Sequence, residues 1–185
     1  EKLRQVLIDQ QKQFEQADEL VERDVDFDYC LKGNEIVVIS GVRRCGKSSL
    51  LKLISGKLRG VKVFVNFDDV RLANFELKNF QDIQDLAAEL YGADEKMYYL
   101  LDEVQNAKSW EKWVNNLYSQ KIKVFVTGSN SNLLSSEIST FLTGRNKMLK
   151  LFPFSFREYL RMRKFRDFDL RKLTSEEKAA IHRLF

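Results

Sequence analysis

The sequence predicts an α/β protein of three layers, a parallel β-sheet covered by helices on both faces. Two features predict it. Short β-branched runs alternate with helical patterns of ten or more residues, and the first of these runs ends in a glycine-rich turn that opens a helix. The runs are only weakly alternating in polarity, as strands buried on both faces are.

In chain order the strand-like runs are 35–40, 61–66, 97–101, 123–127 and a weaker one at 148–152. Helical patterns fall between them at 47–58, about 79–91, 110–119 and 132–142. Ahead of the first strand, Leu3, Val6, Leu7, Gln10, Phe14, Ala17, Leu20 and Val21 recur at spacings of three and four, which predicts one amphipathic helix over 2–23. A polar and aromatic connector over 24–34 follows, with a turn at Lys32-Gly33-Asn34. Beyond Pro153, 155–164 and 175–185 read as helical, and Ser175-Glu176-Glu177-Lys178 resembles a helix start with acids in its first turn. The organisation expected is an N-terminal helix at 1–24 on or leading into the core, a core at 25–153, and a further helical region at 154–185. The last helix carries no capping signal, so a downstream segment is expected.

At 185 residues, 44% hydrophobic and 31% charged, the chain suits one well-packed globular domain and not a disordered one. No apolar stretch approaches the roughly 20 residues needed to span a bilayer, and no secretory signal is seen. A net charge of +4 permits an acidic partner such as nucleic acid without arguing for one. Cys30 and Cys45 form no CxxC, and with a single histidine no Cys/His zinc set can be assembled. Reduced thiols in a cytoplasmic protein are expected.

Gly41-Val42-Arg43-Arg44-Cys45-Gly46-Lys47-Ser48 fits the P-loop pattern at every specified position, between an apolar strand and a helix containing Leu50, Leu51, Leu53 and Ile54. Glycines let such a loop turn tightly and bring backbone N–H groups around phosphate oxygens, while the helix offers its positive end to the same anion. Lys47 is suited to the β and γ phosphates of ATP and the Ser48 hydroxyl to Mg²⁺. Gly41, Val42, Arg43, Arg44, Cys45, Gly46, Lys47, Ser48 and Ser49 are therefore the candidate nucleotide contacts. Arg43 and Arg44 read equally well as solvated loop residues, and Cys45 as a structural thiol.

Met97-Tyr-Tyr-Leu-Leu-Asp102-Glu103 is an apolar strand ending in two acids. A parallel strand delivers its C-terminal end to the ligand crevice, so Asp102 is placed to hold Mg²⁺ and Glu103 to take a proton from an attacking water. The fourth strand ends in Thr127-Gly128-Ser129-Asn130, whose small polar groups suit a γ-phosphate or the water; a plain turn with Asn130 or Asn132 as a helix cap competes. Val63-Phe64-Val65-Asn66-Phe67-Asp68-Asp69 ends the second strand in polar groups facing the same crevice, with an Asx turn as the alternative. Arg145, in Thr143-Gly144-Arg145, is a candidate for reaching a transferring phosphate in cis or across a subunit interface. Trp110 and Trp113, and Phe152, Phe154 and Phe156, are expected to pack in the core.

Taken together, Ile-Ser-Gly-Val-Arg-Arg-Cys-Gly-Lys-Ser, Tyr-Tyr-Leu-Leu-Asp-Glu-Val-Gln, Val-Thr-Gly-Ser-Asn-Ser-Asn-Leu-Leu and Leu-Thr-Gly-Arg…Leu-Phe-Pro-Phe-Ser-Phe-Arg-Glu-Tyr resemble the AAA+-type P-loop ATPases of archaea and many bacteria that carry a C-terminal domain of uncertain, nuclease-like fold. The resemblance covers about residues 35–160. It implies a five-stranded sheet in the order 5-1-4-3-2, a Walker A motif at Gly41–Ser48 and a Walker B motif at Asp102-Glu103. It further implies a sensor-1 role for Ser129 or Asn130, an Asn66 that restrains Glu103, an Arg145 acting on a neighbouring subunit of a homo-oligomer, and the beginning of a helical lid in 154–185.

The function expected is Mg²⁺-dependent ATP hydrolysis used as a switch or motor. A binding module in which ATP only orders a surface is the alternative, and a small-molecule phosphotransferase a weaker one. A regulatory GTPase is disfavoured, since Asn146-Lys147 is followed by Met148-Leu149 and no Asn-Lys-x-Asp motif occurs. The client, nucleic acid or protein, is not written in these residues.

Overall fold

A computed structural model describes residues 1–16, 18–129, 144–164 and 174–182. The chain divides into two compact units, residues 1–20 with 25–153, and residues 21–24 with 154–185. In the first, strands β1 (Ile36–Gly41), β2 (Val61–Asn66), β3 (Met97–Asp102), β4 (Lys123–Ser129) and β5 (Asn146–Leu151) form one sheet in the order β2-β3-β4-β1-β5. All four pairings are parallel, the order the resemblance implies.

Helices α3 (Lys47–Lys57), α4 (Asn79–Tyr91) and α5 (Trp110–Ser119) lie within a residue of the expected segments. The two faces of each central strand feed two separate cores. Ile36, Val38, Leu101, Val124 and Val126 pack with Phe80, Ile83, Trp113 and Val114 of α4 and α5. The alternate residues Val37, Ile39, Leu100 and Phe125 pack with Leu50, Leu51 and Ile54 of α3. Period-two side chains, apolar on both faces, are what a sheet between two helical layers requires. Trp113 is in the core as expected, stacked on Phe80 at 4.6 Å with its indole N–H donating to Gln84 at 3.0 Å.

The N-terminal helix differs from the expectation. Helix α1 spans Lys2–Glu15, not 2–23; Gln16 leaves helical geometry at ψ 140, and its carbonyl and the Asp18 carboxylate are both held by Lys52 Nζ at 2.5 Å. α1 runs across the exposed edge of β2. Val6 and Leu7 join one core and Phe14 the other, where it stacks on Phe64 at 4.1 Å. Between them Gln10 accepts from the Asn66 N–H at 2.9 Å and donates to its carbonyl at 3.1 Å, while Gln11 accepts from the Phe64 N–H at 3.1 Å. Two glutamine side chains thus satisfy backbone groups that an open edge strand would leave unpaired. A four-residue helix, α2 (Asp28–Leu31), lies in the connector and buries Cys30.

The second unit holds α6 (Phe156–Met162) and α7 (Ser175–His182). Ser155 caps α6 in a reciprocal capping box with Glu158. The Glu158 carboxylate is buried against Arg23 Nε at 2.7 Å and also accepts from the backbone N–H groups of Asp24 and Ser155. Burial pushes its pKa up, but the guanidinium and these N–H groups outweigh it and hold the pKa at about 2. A depressed carboxylate pKa stabilises fully above its ordinary value of 4.5 and loses that contribution as pH falls toward 2. Glu158→Gln is therefore expected to cost about 3 kcal/mol at neutral pH and to flatten the loss of stability below pH 4.5, read by thermal unfolding across pH.

Phe152, Phe154 and Phe156 are exposed rather than in the core. Phe152 lies just past the last pairing of edge strand β5, and the Phe154 ring carries the Arg23 guanidinium at 4.7 Å from its centroid. The helix expected at 132–142 lies outside the described residues. Among the described residues no helix is long and apolar enough to cross a membrane.

Candidate functional site

Parallel pairing brings the C-terminal ends of four strands to one edge of the sheet: Gly41 on β1 beside Ser129 on β4, and Asn66 on β2 beside Asp102 on β3. The loop 41–48 leaves this edge and turns into α3. Gly41 must be glycine, because a Cβ there would meet the Leu151 carbonyl oxygen at 2.5 Å and Cys45 Sγ at 2.6 Å. Gly46 caps α3 at φ 96, a left-handed conformation suited to glycine. Val42, Arg43, Arg44, Ser48 and Ser49 face solvent, whereas Cys45 and Lys47 are buried. Lys47 turns back over the loop, and its Nζ donates to the carbonyls of Gly41 at 3.3 Å and Val42 at 3.4 Å. A cation folded over a turn of backbone N–H groups at a helix N-terminus is arranged for an anion of several charges.

Two hydroxyls converge on the buried Asp102. Ser48 Oγ donates to its Oδ2 at 2.6 Å, and Thr127 Oγ1 donates to its Oδ1. Lys47 Nζ lies 3.7 Å from the neighbouring Glu103. Burial pushes the Asp102 pKa up and the Glu103 charge adds to this, while the two hydroxyls pull it down. A serine hydroxyl and a carboxylate within hydrogen-bond distance are hard oxygen ligands of the kind Mg²⁺ takes. Glu103 follows in a left-handed conformation, φ 50 and ψ 46, which is strained for a side-chain-bearing residue. Its N–H is tied to Thr127 Oγ1 at 3.1 Å, and its Oε2 accepts from Gln105 Nε2 at 2.5 Å. A cavity of about 380 Å³ opens beside this corner, lined among others by Ser48, Ser49, Lys52, Asn66, Asp68 and Asp102. A smaller one of about 240 Å³, between α1 and residues 70–79, touches none of these groups.

The structure corrects one expectation and narrows another. Asn66 does not hold Glu103: its Oδ1 accepts from the Asp68 N–H at 2.9 Å in an Asx turn, and the group on the Glu103 carboxylate is Gln105. Arg145 does not reach the site of its own chain. Its carbonyl accepts from Ile36 N–H, at the start of β1, and Gly41 lies five residues further, about 17 Å along the strand. Its guanidinium donates to Asn115 at 3.3 Å beside the Tyr118 ring of α5. Ser129 is in β4 with its backbone beside Gly41, its side chain outside what is described, and Asn130 lies outside the described residues. Thr127 and Gln105 were not singled out from sequence. Thr127 sits in the strand-end motif and Gln105 two residues past the paired acids, but only the folded contacts give them a role.

A parallel sheet of this order with the phosphate-type loop after β1 and paired acids after β3 defines the P-loop ATPase fold. A family model described as an AAA domain matches residues 33–160, and the chain belongs to that family. Three relatives are uncharacterized proteins. The chain is 34% identical over 164 residues to MJ1544 of Methanocaldococcus jannaschii, an alignment covering 88% of this chain and 35% of that protein. It is 36% identical over 146 residues to a protein of Haemophilus influenzae, covering 75% and 34%. It is 28% identical over 160 residues to MJ1637 of Methanocaldococcus jannaschii, covering 81% and 31%. The chain thus spans about a third of the length of these relatives.

Proposed function

We propose that this chain binds ATP with Mg²⁺ at the loop 41–48 and hydrolyses it, as the nucleotide-driven part of a switch or motor. The observation that carries this is the single corner at which Ser48 and Asp102 meet at 2.6 Å with Lys47 and Glu103 at 3.7 Å. Bound there, Mg²⁺ would neutralise charge on the β and γ phosphates. Ser48 and Asp102 are the residues that would hold it. Lys47 would exchange its loop carbonyls for phosphate oxygens, and the backbone N–H groups of 42–48 would line the phosphate chain. Glu103 would accept the proton of the attacking water, its backbone fixed by Thr127.

The reading includes a homo-oligomer in which Arg145 acts on the site of a neighbouring copy. The distance from Arg145 to its own loop supports action in trans over action in cis. A client of nucleic acid or protein belongs to the same reading, acting through the longer protein. The test is phosphate release from Mg-ATP by wild type, Arg145→Ala, Glu103→Gln and an equimolar mixture of the two variants. Each variant alone is expected to be slow, and the mixture to regain turnover, because mixed assemblies place an intact Arg145 beside an intact Glu103. A mixture no faster than the mean of its parts would remove the trans role, and a wild type without turnover would remove the ATPase reading.

A further inference from the structure

Glu103 is held in a way that the paired-acid motif alone does not explain. It sits at φ 50, and its carboxylate has two neighbours among the described residues, Lys47 Nζ at 3.7 Å and Gln105 Nε2 at 2.5 Å. Phosphate binding would draw Lys47 away, and Gln105 would then be the described group still holding the carboxylate. The amide's orientation is set by charge: turned over, its oxygen would face the Glu103 carboxylate. The Gln105 Oε1 so fixed is buried without a hydrogen-bond partner among the described residues, a state that costs free energy unless something supplies a donor. Gln105 lies in the short 3₁₀ helix Val104–Asn106, closed by Asn106 N–H to the Glu103 carbonyl at 3.1 Å and Ala107 N–H to the Val104 carbonyl at 3.0 Å. Val104 is fully buried, which anchors the turn. The amide is therefore presented to Glu103 from a short, internally bonded turn, whereas Asn66 is committed to its own Asx turn.

We propose that Gln105 is the positioning residue of the catalytic base: its amide N–H fixes the orientation of the Glu103 carboxylate that takes a proton from the attacking water. This rests on the ATPase reading above. The bond that matters is a neutral amide donor on a carboxylate acceptor, so the base is oriented without a cation that would weaken its pull on a proton.

The test uses Gln105→Met, which keeps the length of the side chain and removes both amide functions, with steady-state and single-turnover phosphate release. kcat is expected to fall roughly tenfold to a hundredfold, the scale of a misplaced reacting group, with KM for ATP changed by less than about twofold. In the Glu103→Gln background the same substitution is expected to have almost no further effect, since two residues acting as one unit are not additive. In nucleotide-free protein the Gln105 side-chain amide resonance, assigned by its loss in Gln105→Met, is expected to move on Glu103→Gln. A wild-type kcat in Gln105→Met, equal losses in both backgrounds, or an amide resonance indifferent to Glu103 would each overturn the assignment while leaving the ATPase reading intact. A wild type that turns over no ATP would overturn that reading and the positioning role with it.

Discussion

Lys47→Ala is expected to weaken Mg-ATP binding by roughly a hundredfold, about 3 kcal/mol, as measured by calorimetric titration. The side chain is buried, and its ammonium group already lies over the loop with two backbone carbonyls and Glu103 as its neighbours. On nucleotide binding it would trade these for phosphate oxygens. Removing it leaves the most charged part of the ligand without its principal cation in a partly desolvated site, and the remaining N–H groups of the loop do not replace it. The fold should tolerate the change, because Leu50, Leu51 and Ile54 supply the apolar packing of α3 against the sheet. An unfolding midpoint near that of wild type would accompany the lost affinity.

Glu103→Gln is expected to leave ATP affinity within a few-fold of wild type and to reduce turnover by at least about a hundredfold, the contribution of a positioned general base. The substitution keeps the shape of the side chain and the backbone bond to Thr127. It removes the only function the mechanism needs from it, the capacity to take a proton. It also relieves the electrostatic contact with Lys47, so slightly tighter nucleotide binding is the expected accompaniment. The pair of variants separates binding from chemistry: one residue on α3 governs the first, and one residue after β3 the second.

Most of the fold was legible because its signals are local. β-Branched runs, the glycine-rich turn and the intervening helical periods placed five strands and three helices within a few residues, and family resemblance supplied their order. The loop and the paired acids were legible for the same reason, since each is a contiguous motif whose residue types follow from phosphate and Mg²⁺ chemistry. What stayed hidden depends on contacts between distant segments. Gln10 falls on the apolar stripe of α1 because the helix crosses the edge of β2, where the Gln10 amide pairs with the Asn66 backbone, a contact between segments more than fifty residues apart. Leu20 and Val21 continue the helical period past Glu15, and only the grip of Lys52 on Gln16 and Asp18 shows where α1 stops. Asn66 had the right position for a partner of Glu103 but is satisfied locally by Asp68, a competition between side chain and backbone that spacing cannot arbitrate. Arg145 could be placed between a helix and a strand, yet its distance from the loop becomes visible only when β1 and β5 are paired in register.

The central claim is that one corner, built by Ser48, Asp102, Lys47 and Glu103, both binds and cleaves ATP. Single-turnover release of inorganic phosphate from pre-bound ATP, started by adding Mg²⁺ to wild type and to Glu103→Gln at matched ATP occupancy, tests it most directly. The account predicts release from the wild type that depends on Mg²⁺ and is nearly absent from the variant; release at equal rates from both, or release from wild type that continues under a chelator, would contradict it.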